Sequence, residues 1–536
     1  MIDTASLTFP QVIERKAQNA NSSKDLLTFV DFGPGGEYLI EKRNYQQLWR
    51  NARKIASKLI SSDVGKGDAV GLYLKNHPEF IEATIALGIV GAVAVPIDPR
   101  ITGSKLQFLL RHSDCKGVIT GEYGVASLKE ALPDLPRISF VWYLGDSDTP
   151  LGQTTGEHFS PLEVDLLEEC DIAIQSTNLS DPMCLLFTSG STGNPKAVVI
   201  DHKRYSGTAT SRAGNFRLTT EDIMYTGLSL THGNAFNVNM GMCLYSEIRM
   251  VISRQFSKRR LWQLLKDFDC TTINLLGGMF NTIYADNVEA QHLDNKLRLI
   301  IGAGMPKQLW QAYIDRFNVD ILEFYGAVEG GLMVNRPGEG PIGSIGKPAP
   351  NLVAKIVDES GNELPDNTPG NIVFANKDGS PYRINYLNNP EASAEKSKLG
   401  FLWMGDIGYR DEQGFFYFLH RDGGSIRKNG EFISSTEIEK VLAEHPSVLD
   451  VFVFGVASEN GVAGEQDVVA AIELLPDDQY DQKQLQQYCA KHLEKSHIPG
   501  YVQIFDSIPK TSAQKPLISE IKNSFSRDLH NVFQFR

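Results

Sequence analysis

The chain has 536 residues, 42% of them hydrophobic and 22% charged, so it can form more than one domain around a large buried core. Its formal net charge of −13 argues against a nucleic-acid-binding surface, which needs clustered Lys and Arg. The six cysteines show no CxxC pair and no metal-ligand spacing, so reduced, mostly buried thiols are expected. No signal-peptide pattern and no bilayer-spanning apolar run is visible, so we expect no integral membrane segment and a cytoplasmic location.

Helical and strand patterns alternate over the first part of the chain. Apolar residues at helical spacing predict a helix at 44–61, and a second helix is predicted at 78–91. Short apolar runs predict buried strands at 69–74 and 92–96, and the same helix–strand pattern recurs over 104–121. This alternation is typical of an α/β fold with a mainly parallel sheet.

The pattern changes twice farther along the chain. From about residue 340 to 400, Gly, Pro, Asn and Asp interrupt short apolar runs, which predicts the hairpins of a β-rich subdomain. After Gly423 and Gly424 a smaller alternation resumes, with helices predicted at 436–444 and 482–494 and strands at 449–454 and 468–474. The glycine pair is the predicted hinge between an N-terminal body, residues 1–421, and a C-terminal lid, residues 422–536.

The strongest chemical signal is a loop between two apolar strand patterns. It consists of small and hydroxylic residues and ends in a lysine: Thr188, Ser189, Gly190, Ser191, Thr192, Gly193, Asn194, Pro195 and Lys196. Glycines allow close backbone approach to a ligand, exposed amides form an anion nest, and the hydroxyls and Lys196 add donors and charge. These properties predict a phosphate site instead of a plain surface turn. The loop differs from a Walker loop because the Gly-Lys-Ser/Thr ending is absent and a strand follows.

This loop resembles the signature of the adenylate-forming superfamily, which includes acyl-CoA synthetases, peptide-synthetase adenylation domains and firefly-type luciferases. The similarity continues in order along nearly the whole chain, leaning towards carnitine/crotonobetaine-type and fatty-acyl CoA ligases. The resemblance implies an enzyme that activates a carboxylic acid with ATP and Mg²⁺ to an acyl-adenylate and transfers the acyl group to coenzyme A. It also implies an α/β fold: a large body of several subdomains with mainly parallel sheets, a β-rich subdomain, and a small α+β C-terminal lid.

Nucleotide-binding residues follow from the same resemblance. The glycine-rich turn after the strand pattern at 299–301 would be the adenine platform. A second strand pattern begins at Leu322 and would end at Tyr325 and Gly326, beside the purine. These residues are Gly302, Ala303, Gly304, Tyr325 and Gly326. Glu329 would bind Mg²⁺, for which a carboxylate oxygen is a suitable ligand. Asp406, expected at a tight turn, and Arg421 would hold the ribose.

Three further positions complete the site implied by the resemblance. His232 would flank the acyl pocket, although a single histidine read by itself is more often structural. Gly430 would line the pantetheine tunnel for coenzyme A. Lys515 would bridge the substrate carboxylate and the α-phosphate, and the lid would withdraw it before the thiol attacks. The polar stretch with His232, Asn234 and Asn237 favours a polar or modest-sized acyl group.

The chain departs from the family pattern at Val328, usually Thr, and at Ala197, Phe432 and Gln514. The Thr hydroxyl would donate to the α-phosphate, which Val cannot do. Two alternatives therefore stay open: a stand-alone adenylation enzyme that loads a carrier protein, and a nucleotide-binding homologue with impaired catalysis. The identity of the acid and the choice between a monomer and a homodimer are also open.

Overall fold

A computed structural model gives the architecture, and it describes residues 4–19, 22–145, 158–188, 195–284, 294–421, 425–428, 431–459, 465–475, 479–509, 516 and 518–535. The helix predicted at 44–61 begins after Asn44. The Asn44 side chain accepts the N–H of Gln47 at 2.8 Å, and the Gln47 side chain accepts the N–H of Asn44 at 2.9 Å. This reciprocal capping satisfies two amides that have no partner inside the helix, so the local sequence fixes the helix start.

The helices and strands are numbered in chain order. The α-helices are α1 (Phe9–Ala17), α2 (Tyr45–Ser61), α3 (Pro78–Val90), α4 (Gly103–His112), α5 (Val125–Ala131), α6 (His202–Phe216), α7 (Met242–Ser246), α8 (Lys258–Asp267), α9 (Gly277–Tyr284), α10 (Lys307–Phe317), α11 (Pro390–Lys396), α12 (Ser435–Ala443), α13 (Gln482–His492) and α14 (Ile518–Asn523). A π-helical turn at Ala235–Gly241 precedes α7, and short 3₁₀ turns lie at Glu122–Gly124, Leu132–Asp134, Val164–Leu166 and Lys398–Gly400.

The β-strands divide into those of the two large sheets and those that follow. The first group is β1 (Leu27–Phe32), β2 (Tyr38–Arg43), β3 (Ala69–Tyr73), β4 (Val93–Pro96), β5 (Cys115–Gly121), β6 (Phe140–Leu144), β7 (Phe159–Pro161), β8 (Pro182–Thr188), β9 (Lys196–Asp201), β10 (Ile223–Thr226), β11 (Arg249–Ser253), β12 (Thr272–Leu276), β13 (Leu299–Ala303), β14 (Asp320–Ala327), β15 (Gly330–Asn335) and β16 (Lys347–Pro348). The second group is β17 (Leu352–Val357), β18 (Gly370–Asn376), β19 (Leu402–Arg410), β20 (Phe416–Arg421), β21 (Ser425–Lys428), β22 (Glu431–Ser434), β23 (Val448–Ala457), β24 (Gln466–Leu474), β25 (Tyr501–Phe505) and β26 (Val532–Gln534).

Two large, mainly parallel sheets form the N-terminal part. The seven-stranded sheet has the order β7-β6-β5-β3-β4-β8-β9, with only the β8–β9 pair antiparallel. The nine-stranded sheet has the order β16-β15-β14-β13-β12-β10-β11-β1-β2 and is parallel from β14 to β1. Helices α1, α2, α3 and α6 share one hydrophobic core with strands of both sheets. Ligands of such folds bind outside the carboxyl ends of the parallel strands, so those ends are where a site is expected.

Smaller β structures follow. Strands β17 to β20 form an antiparallel sheet, β21 and β22 form a hairpin, and β23 to β26 form a mixed sheet with α12 to α14 nearby in sequence. Lys105 on α4 connects this C-terminal part to the body, since its Nζ lies 3.2 Å from Oε1 of Glu437 and 2.8 Å from Oε1 of Glu494.

The predicted fold class is confirmed, with parallel-rich sheets, a β-rich subdomain and a small α+β C-terminal part. The domain boundary at 421/422 stays a prediction, and the proposed hinge glycines lie outside the described residues. All six cysteines are free and only Cys170 is exposed, in agreement with the sequence. Within the described ranges, no helix combines the length and the apolarity needed to cross a bilayer.

Candidate active site

The carboxyl end of β8 meets the turn between β14 and β15. Thr188, the last residue of β8, places its Oγ1 3.3 Å from Oε1 of Glu329. The same carboxylate oxygen accepts a 2.7 Å hydrogen bond from the hydroxyl of Tyr386 in the β-rich part. Thr188 and Glu329, two predicted site residues that are 141 positions apart in sequence, are thus neighbours at the carboxyl ends of the two sheets.

Glu329 is buried, with 7% of its surface exposed, yet its surroundings favour the anionic form. Burial by itself would raise the pKa of its carboxyl group. The positive charge of Lys396 and the Tyr386 hydroxyl outweigh burial and hold this pKa below its usual range, with a smaller contribution from Arg204. The Arg204 guanidinium also donates to the carbonyl oxygen of Val328. A buried carboxylate is therefore kept charged beside hydroxyl groups.

This arrangement suits Mg²⁺ bound together with a nucleotide. Among the residues that the structure describes, no cluster of three or more His, Cys, Asp or Glu side chains could hold a metal by itself. Mg²⁺ usually binds through one or two carboxylates together with substrate phosphates, because it keeps several of its ligands as water or phosphate oxygen. One charged carboxylate at Glu329, next to the phosphate-loop strand β8, fits that pattern.

The predicted adenine and ribose positions also meet. The hydroxyl of Tyr325 donates to the carboxylate of Asp406, which is buried at 6% exposure. The expectation that Asp406 lies at a tight turn is wrong. Asp406 lies inside β19, directly after Gly405, whose φ of 77° bends the strand without ending it. Asp406 is paired across the sheet with the backbone of Arg421, whose side chain lies outside the described residues.

The predicted adenine platform is the turn after β13, at Gly302, Ala303 and Gly304. Gly304 has a φ of 86°, which favours glycine, and a Cβ there would lie only 2.2 Å from an Nη of Arg427 on β21. The carboxylate of Glu323 on β14 accepts the N–H of Gly304 at 2.6 Å, and its Oε2 accepts the N–H of Met305 at 3.1 Å. Glu323 therefore fixes the shape of the turn, and Arg427 brings the C-terminal hairpin against it.

Titration of Glu323 gives the first testable prediction. Burial raises its pKa to about 7, although the amides of Gly304 and Met305 and the charge of Arg427 act in the opposite direction. An unfolded glutamic acid titrates near pH 4.3, so between about pH 4.3 and 7 the native state binds a proton that the unfolded state has lost. The contribution of Glu323 to the free energy of unfolding therefore falls as pH rises through this window and is constant above it.

The variant Glu323→Gln removes this titration. Between pH 4.5 and 8, the stability difference between wild type and variant should change by about 3 kcal/mol, from the size of the pKa shift. Thermal unfolding midpoints of both proteins, measured across this range, test it. Substitution of the exposed Glu359 by Gln serves as the control. A wild-type-to-variant difference that does not vary with pH would show that the buried carboxyl keeps its ordinary titration.

His232 lies in the connection after the carboxyl end of β10. Its Nε2 is 3.1 Å from Oδ2 of Asp98, which follows β4. The polar residues that were expected around an acyl group are partly engaged with protein. Asn234 accepts from Asn274 at 2.6 Å, and the Asn237 amide donates to the Gly233 carbonyl at 2.9 Å. The preference for a polar acyl group stays a prediction.

Two further predicted positions, Lys196 and Gly326, lie in the described part of the chain, and seven others do not. Lys196 is the first residue of β9, and its Nζ lies 5.6 Å from the centre of the Tyr386 ring. Gly326 is exposed, and a Cβ there would lie 2.7 Å from the carbonyl oxygen of Gly331. The remaining loop, tunnel and lid positions lie outside the described residues: Ser189, Gly190, Ser191, Thr192, Gly193, Gly430 and Lys515.

Sequence reasoning missed four residues of the site: Asp98, Arg204, Glu323 and Tyr386. Tyr386 lies in a segment without regular secondary structure and carries no motif. The sequence did contain a signal for Asp98, because this carboxylate comes two residues after a predicted parallel strand, at the end where ligands bind.

Comparisons with known proteins match most of the chain. The profile of the AMP-binding enzyme family matches residues 16–379, and the profile of the AMP-binding enzyme C-terminal domain matches residues 437–515. A crotonobetaine/carnitine–CoA ligase from Proteus mirabilis is 28% identical over 505 residues, covering 89% of this chain and 92% of that protein. A medium/long-chain-fatty-acid–CoA ligase from Mycobacterium tuberculosis is 28% identical over 470 residues, covering 87% and 88%.

Solved structures show the same fold at lower identity. The o-succinylbenzoate CoA synthetase from Bacillus subtilis, bound with a product analogue, superposes with a TM-score of 0.79 at 22% identity, over 96% of this chain and 98% of that one. The amide bond synthetase McbA from Marinactinospora thermotolerans gives a TM-score of 0.78 at 20% identity, over 97% and 100%. The first family profile alone covers more than half of the chain. The chain therefore belongs to the AMP-binding enzyme family, as the sequence resemblance indicated.

Proposed function

We propose that the chain is an AMP-forming acyl-CoA synthetase, which activates a carboxylic acid with ATP and transfers the acyl group to coenzyme A. The observation that carries this proposal is the meeting of Thr188, Glu329 and Tyr386 at the end of the phosphate-loop strand. Relatives named as CoA ligases match nearly the full length of the chain, which supports coenzyme A as the acceptor.

In the first step, the substrate carboxylate attacks the α-phosphorus of ATP and pyrophosphate leaves. The loop from Thr188 to Lys196 would hold the phosphates, and Glu329 would hold Mg²⁺, which neutralises phosphate charge when bound. Tyr325 and Asp406 would position adenosine. Lys515 would reduce the repulsion between the two reacting anions, since opposite charges at short range favour their approach. Catalysis here is positioning and charge stabilisation.

In the second step, the thiol attacks the acyl carbon and AMP leaves. The ion pairs of Lys105 with Glu437 and Glu494 join the C-terminal part to the body. The approach of Arg427 to Gly304 likewise places the hairpin next to the adenine platform. Both contacts support a site that the body and the C-terminal part build together.

A panel of carboxylic acids tests the proposed function. With at least one acid, purified protein should catalyse acid-dependent exchange of pyrophosphate into ATP. With coenzyme A added, it should release AMP and form the acyl-CoA in equal amounts. The panel should contain carnitine, crotonobetaine and fatty acids of graded length, as the names of the relatives suggest.

Two outcomes would contradict the proposal in different ways. Pyrophosphate exchange without transfer to coenzyme A, but with transfer to a phosphopantetheinylated carrier protein, would identify a carrier-loading enzyme. ATP binding without exchange for any acid would identify a homologue with impaired catalysis.

A further inference from the structure

A hydrogen-bonded Asp–His pair joins the two large sheets beside the predicted acyl pocket. Asp98 follows β4 of the seven-stranded sheet, and His232 follows β10 of the nine-stranded sheet. The Asp98 side chain is 8% exposed, whereas the His232 side chain is 52% exposed. A buried carboxylate thus holds one edge of an imidazole whose other edge faces open space.

Asp98 is held as an anion by several donors. It accepts the backbone N–H of Arg100 at 2.9 Å, and the Arg100 guanidinium donates to both of its oxygens, at 2.7 Å for the Nη2–Oδ2 contact. Burial by itself would raise the Asp98 pKa, but the bonds from His232 and Arg100 hold it below its usual range. An ionised carboxylate is an acceptor only.

The state of Asp98 determines where the imidazole proton lies. Nε2 is 3.1 Å from Oδ2 of Asp98 and 3.4 Å from Nη2 of Arg100, so its closer neighbour is an acceptor. A neutral His232 then carries its proton on Nε2, which leaves a lone pair on Nδ1. Within the described part of the chain, Nδ1 has no hydrogen-bond partner. This is the geometry of a base that a carboxylate orients.

The pair lies between the nucleotide side and the C-terminal part. Gly233, next to His232, is so close to Val328 that a Cβ on it would lie 2.4 Å from a Val328 methyl group, and Val328 precedes Glu329. In the other direction, the connection after Asp98 continues to Lys105, which pairs with the C-terminal Glu437. Neighbouring residues thus link the pair to both parts that are proposed to build the thioester-forming site.

We propose that His232 accepts the thiol proton during thioester formation and that Asp98 is the residue that positions His232 for this task. The proposal rests on the acyl-CoA synthetase function given above. The S–H bond breaks and its proton moves to Nδ1, the sulfur forms a bond to the acyl carbon, and the bond from that carbon to the AMP oxygen breaks. AMP leaves with the electron pair, and the imidazolium later releases the proton to water.

The two half-reactions separate this role from adenylation. In Asp98→Asn, the transfer from supplied acyl-adenylate to coenzyme A should slow by about 10- to 100-fold, which is less than the roughly 10²- to 10⁴-fold contribution of a general base because Asp98 acts only through His232. Pyrophosphate exchange should fall much less. The matched control is Asp222→Asn, because Asp222 is also a buried carboxylate paired with an arginine, Arg298, at 2.7 Å, but it lies before β10, at the opposite end of the sheet. This control should leave the ratio of the transfer rate to the pyrophosphate-exchange rate as it is in wild type.

Further measurements distinguish a base from a pocket wall. The rate of acyl transfer by His232→Ala should recover when imidazole is added. The loss of rate in this variant should be smaller with acceptor thiols whose pKa is lower than that of coenzyme A. Selective ¹⁵N labelling of histidines should show Nδ1 of His232 unprotonated in wild type and a changed tautomer in Asp98→Asn.

Equal slowing of both half-reactions in Asp98→Asn, or an unchanged transfer rate, would overturn the proposal while leaving the adenylation function intact. If wild type itself shows no acid-dependent exchange, the proposed function fails first.

Discussion

The variant Glu329→Gln should lose most of its adenylation activity. Glutamine retains the size of the side chain and an acceptor for the Tyr386 hydroxyl, but it lacks the charge that binds Mg²⁺ and offsets the phosphates. We expect acid-dependent pyrophosphate exchange to fall by about 100- to 1000-fold, the range seen when one electrostatic stabiliser of a transition state is removed. The Mg²⁺ concentration for half-maximal rate should rise at the same time.

The control for this variant is Glu339→Gln. Glu329 directly precedes β15, whereas Glu339 follows this strand and is paired with Arg336 at 3.0 Å on the surface. Loss of the Glu339 charge should therefore alter neither the exchange rate nor the Mg²⁺ requirement. An unaltered rate and Mg²⁺ requirement in Glu329→Gln would show that the metal is held elsewhere and would remove the central observation behind the proposed site.

The second large effect is expected for Lys515→Ala, and it should be confined to one half-reaction. If Lys515 bridges the carboxylate and the α-phosphate, its removal leaves two anions to approach each other without compensation. Pyrophosphate exchange should then fall by about 100- to 1000-fold. Transfer to coenzyme A from supplied acyl-adenylate should fall by less than about tenfold, since the proposed lid movement would have withdrawn the lysine before that step.

Lys522→Ala is the matched control, because Lys522 is an exposed lysine a few residues farther along the chain, on α14. Loss of both half-reactions to the same extent in Lys515→Ala would contradict the division of labour between adenylation and transfer. Comparison of Lys515→Ala with Asp98→Asn gives opposite rate ratios if both assignments hold.

Local patterns predicted most of the fold because they depend on neighbours in sequence. The helix at Tyr45–Ser61 was visible from its apolar spacing and lies within one residue of the prediction. The meeting of Thr188 with Glu329 was predictable only through the family resemblance, since the residues are distant in sequence and belong to different sheets.

The errors have physical reasons. The family resemblance led us to expect Asp406 at a tight turn, but the left-handed Gly405 bends a strand that cross-strand pairing continues. The sequence could not reveal Tyr386 and Glu323 because their roles come from tertiary contacts. The Tyr386 hydroxyl donates to Glu329, and the buried Glu323 carboxylate accepts two backbone N–H groups from the turn after β13. Residue spacing in the sequence does not predict such contacts.

The contact between Gly233 and Val328 limits how this enzyme can change. A side chain at 233 would collide with the branched residue at 328, so evolution could enlarge the first position only after shrinking the second. Threonine has nearly the shape of valine but adds a hydroxyl that needs a hydrogen-bond partner, and position 328 is only half-buried. The hydroxyl that the family resemblance implies for position 328 would therefore leave the constraint on position 233 unchanged.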